Sequence, residues 1–244
     1  MKVLILGATG ATGRLVVNQL LLNGHEVNAF LRSGSEEKLA KEIISNPNLY
    51  VIPRPVLEMS DKELEKHLEG CGAIISTLGH NLTFRGVYGP PRQLVTDSIQ
   101  KLTKVIQNRN NSESVRMILM STVGCKNEDL QETRSFSARC VFFLLRYLVP
   151  PHSDNEKAVN YLQSTIGQNH STIDWVAVRP DTLTNEADIS PYAIYASPIH
   201  SLFKPGKTSR INVAHFIAEL ISNKLTWSQW KGQMPVVYNT EFLQ

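Results

Sequence analysis

KVLILGATGATGR, residues 2–14, decides how the rest of the chain is read. Val3, Leu4, Ile5 and Leu6 form an unbroken apolar run, short enough to be a strand buried on both faces. Gly7, Gly10 and Gly13 follow at a spacing of three, and Leu15, Val16, Val17, Leu20 and Leu21 then recur at helical spacing. The stretch therefore reads as strand, tight glycine turn, helix. Such a turn needs one glycine to reverse the chain, one to let backbone approach a pyrophosphate, and one to let the helix press on the strand. The helix start offers free N–H groups and a partial positive charge to phosphate. Gly7, Thr9, Gly10, Ala11, Thr12 and Gly13 are thus the expected phosphate loop of a dinucleotide site.

Working outward, residues 25–31 read as a second strand. A site for NAD places Asp or Glu at its end to hold the ribose 2′-hydroxyl. Arg32 and Ser33 stand there instead, and no acid lies between Val27 and Gly34. A guanidinium pairs with a 2′-phosphate through two parallel hydrogen bonds and Ser33 can donate a third, so the expected cofactor is NADP(H).

Further along, 36–44 reads as a helix and 49–52 as a third strand, ended by Pro53-Arg54-Pro55. Ser60 and Glu63 have capping-box spacing and open a helix to residue 69. Strands are expected at 73–77, 115–120, 173–178 and 235–238. Residues 81–91 form a Gly- and Pro-rich loop. Helices are expected from Pro90-Pro91 through Ile106, over 152–166 with Ala158, Leu162 and Ile166 inward, and over 212–223; 185–207 reads as irregular. Strands alternating with helices argue an α/β fold, a doubly wound parallel sheet with helices on both faces. The expectation is one domain over 1–244, in which 185–244 contributes a small substrate region.

FSARCVFFLLRYLVPP, residues 136–151, admits three readings: a buried helix, a homodimer contact, or a cover over the substrate. Burial is favoured because apolar helical stretches are mostly core. A pocket is expected between Tyr88, this segment and 185–205.

Composition excludes several classes. Net charge is +3, from 25 basic and 22 acidic residues spread along 244, which makes no case for nucleic acid or an anionic membrane. Cys71, Cys125 and Cys140 form no metal-ligand or CxxC pattern, so reduced thiols in the cytoplasm and no metal are expected. The apolar run at the start is too short for a signal peptide, and none elsewhere is long enough to cross a bilayer.

GATGATG from residue 7, Arg32 after the second strand, Ser121 after the fifth, Lys157 in the following helix and RPDTL from Arg179 together resemble the atypical short-chain dehydrogenase/reductases. The similarity is to their NAD(P)-binding, NmrA-like branch, near the biliverdin-IXβ/flavin reductases, and covers essentially the whole chain. The resemblance implies a Rossmann-type sheet that binds NADP(H), with a small-molecule substrate over the nicotinamide at the C-terminal strand ends. It assigns Ser121 to the cofactor or a substrate oxygen, Lys157 to the nicotinamide ribose hydroxyls and His152 to proton supply. Ser153 stands where the family carries the tyrosine of Tyr-x-x-x-Lys, while His152 and Lys157 match the His-x-x-x-x-Lys of the biliverdin-IXβ/flavin reductases. Thr77, Leu78 and Gly79 match the loop along the riboses, and Pro180, Thr182 and Leu183 the loop at the nicotinamide amide. Arg54-Pro55 replaces the family's Gly-Asp, leaving adenine to backbone at Val56 and Leu57 or to stacking by Arg54. His80, His170, His200 and His215 carry no expected role. The implied function is an NADP(H)-dependent oxidoreductase acting on an unsaturated or carbonyl-like small molecule. Its rival is an NADP(H)-binding regulatory protein of the NmrA type.

Overall fold

Val3 and Ile5 of the first strand point into one hydrophobic core and Leu4 and Leu6 into another, and all four are buried. That alternation places the strand mid-sheet with apolar layers on both sides. The computed structural model describes residues 1–80, 83–109 and 114–242; Asn81 and Leu82, the start of the expected loop, lie outside them.

The first half of the chain comprises β1 (Lys2–Leu6), α1 (Gly13–Leu22), β2 (Glu26–Phe30), α2 (Lys41–Ile44), β3 (Leu49–Ile52), α3 (Asp61–Leu68), β4 (Cys71–Ser76), α4 (Phe84–Tyr88), α5 (Leu94–Gln107) and β5 (Val115–Met120). The second half comprises α6 (Phe136–Leu148), α7 (Pro150–Tyr161), β6 (Ile173–Pro180), β7 (Thr182–Thr184), β8 (Tyr192–Tyr195), β9 (Lys207–Ser209), α8 (Arg210–Ser222), α9 (Lys224–Trp230) and β10 (Val236–Asn239). The main sheet has the order β3-β2-β1-β4-β5-β6-β10-β8. Every pairing in it is parallel except the last, in which β8 runs antiparallel to β10 with Ile194 opposite Val237. On one face α1 packs against α8, and on the other α5 packs between α3 and α7. The doubly wound Rossmann-type sheet is therefore present. Its parallel strands end together on one edge, where open α/β sheets bind ligands.

Several local expectations need correction. Residues 36–44 are not one helix. A 3₁₀ turn over Glu36–Lys38 is followed by extended backbone at Leu39 and Ala40 before α2, which lets Leu39 reach the core. Pro90-Pro91 does not start α5, which begins at Leu94. There the carboxylate of Asp154 in α7 accepts the N–H groups of Val95 and Thr96 at 2.8 and 2.9 Å. This cap from another helix sets the start, since α5 has no side-chain cap of its own. The helix expected over 152–166 begins at Pro150, with proline in its first turn, and its last turn, Leu162–Ile166, widens to a π-helix. The irregular region contains β8, a strand whose partner lies more than forty residues on.

The largest correction concerns 136–151. It is helical, but Ala138 is the only buried residue in α6 among those described, while Phe136, Phe143, Leu144, Tyr147 and Leu148 are all exposed. The apolar run belongs to a surface face rather than to the core. The capping box at Ser60 is present with both reciprocal hydrogen bonds. No helix among the described residues is long and apolar enough to cross a membrane.

Candidate active site

The glycine turn folds for the reason its spacing suggests. Gly7 sits at φ +77°, and a Cβ on it would lie 2.7 Å from the Thr77 carbonyl oxygen. A Cβ on Gly13 would collide with the Gly7 carbonyl oxygen and lie 2.7 Å from Thr77 Oγ1. Thr77 Oγ1 itself donates to the Leu6 and Gly7 carbonyls at 3.0 and 3.2 Å. The turn is thus clamped between β1 and β4, with no room for side chains.

A cleft of about 360 Å³ opens over this turn. Gly7, Thr9 and Gly10 form its floor, and Arg32 and Lys38 line it beyond β2. Val56, Leu57 and Glu58 line it beyond β3, and Thr77, Leu78, Gly79 and His80 beyond β4. Gly86, Pro90, Pro91 and Leu94 roof it. A cleft with a glycine floor, two cations at one end and mixed apolar walls fits a dinucleotide.

The roof is tied down by a buried ion pair. His80 Nε2 lies 2.8 Å from Asp154 Oδ2, with side-chain exposures of 3% and 0%. His80 Nδ1 lies 3.2 Å from the Gly86 carbonyl. Both partners can only accept, so the imidazole donates from both nitrogens and is a cation. The bond to Asp154 raises the His80 pKa over the opposing effect of burial. Burial pushes Asp154 up, but its bonds from His80, Thr96 and Val95 outweigh burial and hold it below the ordinary carboxylate value.

A second chamber, of about 570 Å³, lies along the same sheet edge beyond β5 and β6. Val123, Glu132, Arg134, Ala138 and Phe142 line one side, and Asp181, Ser197, His200 and Leu202 the other. Its frame is Arg179, which is fully buried. The guanidinium grips Glu132 in bidentate fashion at 2.8 and 2.9 Å and donates to the carbonyls of Cys125, Ala196 and Met234. Burial alone would raise Glu132, yet the bonds from Arg179 leave its pKa lowered.

Of the residues expected at the cofactor, Gly7, Thr9, Gly10, Arg32, Val56, Leu57, Thr77, Leu78 and Gly79 line the first cleft. Thr12 and Gly13 are buried beneath it, and Ala11 and Ser33 are exposed beside it. Pro180 is buried, Leu183 half-buried and Thr182 exposed, all past the end of β6. Arg54 does not line the cleft, because its guanidinium is tied to Glu63 at 2.7 Å and to the Glu58 carbonyl.

None of the three catalytic candidates is among the residues lining either space. Ser121 is buried and donates to Cys125 Sγ at 3.1 Å; burial pushes that thiol up to about 11, so it stays protonated. Lys157 is exposed, and its Nζ donates to Gln93 Oε1. Helical register is the reason: Asp154 and Ala158 take the inward face of α7 and turn Lys157 outward. His152 stacks on Phe142 at 5.5 Å, and its Nε2 is 3.6 Å from Glu156, too long for a hydrogen bond. The expected pocket between Tyr88, α6 and 185–205 exists without Tyr88, whose hydroxyl donates to the Leu148 carbonyl at 3.0 Å. Lys38, Glu58, His80, Asp154 and Asp181 went unread as site residues. Of these, only the Asp of RPDTL carried a local signal, a charged residue straight after an apolar strand.

The model of a family described as NAD(P)H-binding matches residues 7–224. No curated protein matches the chain in sequence. Solved structures share its fold. The oxidoreductase ylbE from Lactococcus lactis superposes with a TM-score of 0.67 at 20% identity, over 98% of this chain and 91% of that one. A wide-type short-chain dehydrogenase/reductase from Veillonella parvula, solved in complex with NADP, gives 0.68 at 16% identity over 99% and 95%. The anaerobilin reductase ChuY from Escherichia coli O157:H7 gives 0.63 at 19% identity over 99% and 98%.

Proposed function

The chain belongs to the NAD(P)H-binding family whose model spans it, and from that premise we propose an NADP(H)-dependent oxidoreductase that passes hydride to an unsaturated or carbonyl-like small molecule. The observation that carries the cofactor choice is the pair Arg32 and Lys38 at one end of the glycine-turn cleft. A planar guanidinium and a mobile ammonium suit a ribose 2′-phosphate. The backbone of Gly7 to Gly13 meets the pyrophosphate at the start of α1. Val56 and Leu57 pack on adenine, and Glu58 accepts from its amine. Thr77, Leu78 and Gly79 follow the riboses, and Pro180, Thr182 and Leu183 approach the nicotinamide end. The bound nicotinamide supplies the hydride; the protein orients it and shields it from water. Three free cysteines suit a reducing compartment such as the cytoplasm.

Replacing Arg32 with Ala is expected to weaken NADPH by about 1.5–3 kcal/mol, as for a charge-assisted hydrogen bond, and to leave NADH nearly unchanged in a binding titration. Equal losses for the two would refute the 2′-phosphate role.

A second reading, an NADP(H)-binding regulatory protein, is favoured by the outward turn of Lys157 and by the exposed apolar face of α6, which suits a partner protein or a second copy. Following NADPH oxidation against flavins, quinones, tetrapyrroles and carbonyls separates the two. Turnover selects the enzyme, and tight binding with no turnover selects the regulator.

A further inference from the structure

The second chamber has two unlike walls. On one, the Arg134 guanidinium lies 4.0 Å from the centroid of the Phe142 ring and donates from Nη2 to the Gly124 carbonyl at 2.6 Å. Among the described residues Arg134 enters no ion pair. Burial lowers its pKa by more than the attraction of Glu156 and Glu132 raises it, so this cation has given up water without a carboxylate at ion-pair distance. A guanidinium held over a ring and facing a cavity with Val123 and Ala138 beside it is a receptor for an anion attached to a flat apolar body.

On the other wall stands Asp181, the first residue after β6. Its Oδ2 accepts from the Gly206 N–H at 2.9 Å. Tyr238 is fully buried, and its hydroxyl packs against this carboxyl without a hydrogen bond of good geometry. The His200 ring meets the Tyr238 ring edge-on at 4.9 Å, and its buried Nε2 has no hydrogen-bond partner among the described residues. Burial outweighs the bonds that Asp181 receives and raises its pKa. The groups around this carboxyl are Tyr238 from β10, His200 from the segment before β9, and, across the chamber, Arg134 and the Glu132 already held by Arg179. An acid on a cavity wall that enters no ion pair among the described residues, with two unsatisfied polar atoms behind it, is arranged to give up a proton rather than to brace the fold.

We infer that this chamber is the acceptor site, that Arg134 holds the acceptor's carboxylate, and that Asp181 is its proton donor. The ligand class is a flat conjugated carbonyl compound bearing a carboxylate. The inference rests on the oxidoreductase reading above and supplies the acid that Ser153 cannot. Hydride adds to the carbonyl carbon, the π pair moves to oxygen, and the Asp181 O–H bond breaks to protonate that oxygen. The carbonyl is reduced to an alcohol as the hydride donor is oxidised, and water at the mouth of the chamber returns a proton to Asp181.

The test uses 4-formylbenzoate and benzaldehyde as acceptors, with calorimetric binding of NADPH and of the product analogue 4-(hydroxymethyl)benzoate. The native chain should prefer 4-formylbenzoate by about tenfold or more in kcat/KM, in line with one good charge-assisted contact. Arg134→Gln should erase that preference and weaken 4-(hydroxymethyl)benzoate by a similar factor. Asp181→Asn should cut kcat about 100-fold, remove the fall of kcat that follows loss of the Asp181 proton as pH rises, and leave both binding constants unchanged. An unchanged kcat in Asp181→Asn overturns the acid. Binding of 4-(hydroxymethyl)benzoate that ignores Arg134→Gln overturns the anion receptor. NADPH binding with turnover of neither aldehyde overturns the acceptor site, whereas failure to bind NADPH at all overturns the cofactor reading beneath it.

Discussion

The floor of the first cleft, from Gly7 to Gly13, is made of backbone, whereas the chamber between Arg134 and Asp181 is made of side chains. Both occupy the same edge of one sheet. The floor is specified by consecutive residues, because a turn that admits phosphate needs the absence of Cβ atoms at a fixed spacing. The chamber draws on 123–142, on Asp181, on 197–205 and on Tyr238, and Arg179 reaches to Cys125, Glu132, Ala196 and Met234 to hold these parts in register. A backbone site tolerates almost no change at its glycines. A side-chain site can be altered one group at a time while its frame survives, which is how one fold comes to serve many chemistries.

The largest effect should come from adding one methyl group to the backbone site. Gly13→Ala places a Cβ on the Gly7 carbonyl, whose surroundings in β1 and β4 cannot yield. The expected loss is roughly 4 kcal/mol or more of stability, at the far end of single-substitution effects, together with NADPH binding. Urea unfolding and a binding titration check both. A Gly13→Ala variant that folds and binds like the parent would break the contrast between the two sites.

Next comes the roof of the cleft. Asp154→Ala leaves the His80 imidazolium buried without its partner and uncaps α5, which should cost about 3–5 kcal/mol. The pH dependence has a definite sign. The His80 pKa is raised, so its contribution is complete below the ordinary histidine value and fades as pH climbs through the folded one. The Asp154 pKa is lowered, so its contribution is complete above the ordinary carboxylate value and fades as pH falls through the folded one. The gap in stability between native chain and variant should therefore be widest in the mildly acid range between those values and narrow on both sides. A gap that does not vary with pH would mean the pair is not ionic.

What the sequence disclosed follows the same division. The sheet, the glycine turn, Arg32 and the capping box at Ser60 rest on neighbours within a few positions, and all could be read directly. Lys38 faces the cleft because Leu39 breaks the expected helix, and no periodicity announces that break. His80 and Asp154 are 74 residues apart, and each alone is an ordinary polar residue. Lys157 has the spacing of a family motif, but it is exposed and donates to Gln93, since Asp154 takes the inward side of the helix. Asp181 stands in the RPDTL segment, but its role depends on Tyr238 and His200, which only the closed sheet brings to it.

The smallest expected effect concerns α6, for whose apolar residues the sequence favours burial over a dimer contact or a cover on the substrate. A fully buried phenylalanine cut to a small residue costs about 3–5 kcal/mol. Phe143 is 58% exposed and Tyr147 70%, so they have little packing to lose. Phe143→Ser should shift unfolding by about 0.5 kcal/mol or less in dilute urea titrations, in the range of ordinary surface changes. Helical spacing of apolar groups marks a face that avoids water, but not what shields it, and α6 carries that face outward. Phe142, one residue away, lies under Arg134 and against His152 as a wall of the chamber. The same substitution at Phe142 should strip Arg134 of its platform and weaken 4-(hydroxymethyl)benzoate, while Phe143→Ser leaves that binding untouched. If the two neighbours behave alike, α6 is neither the surface face nor the chamber wall described for it.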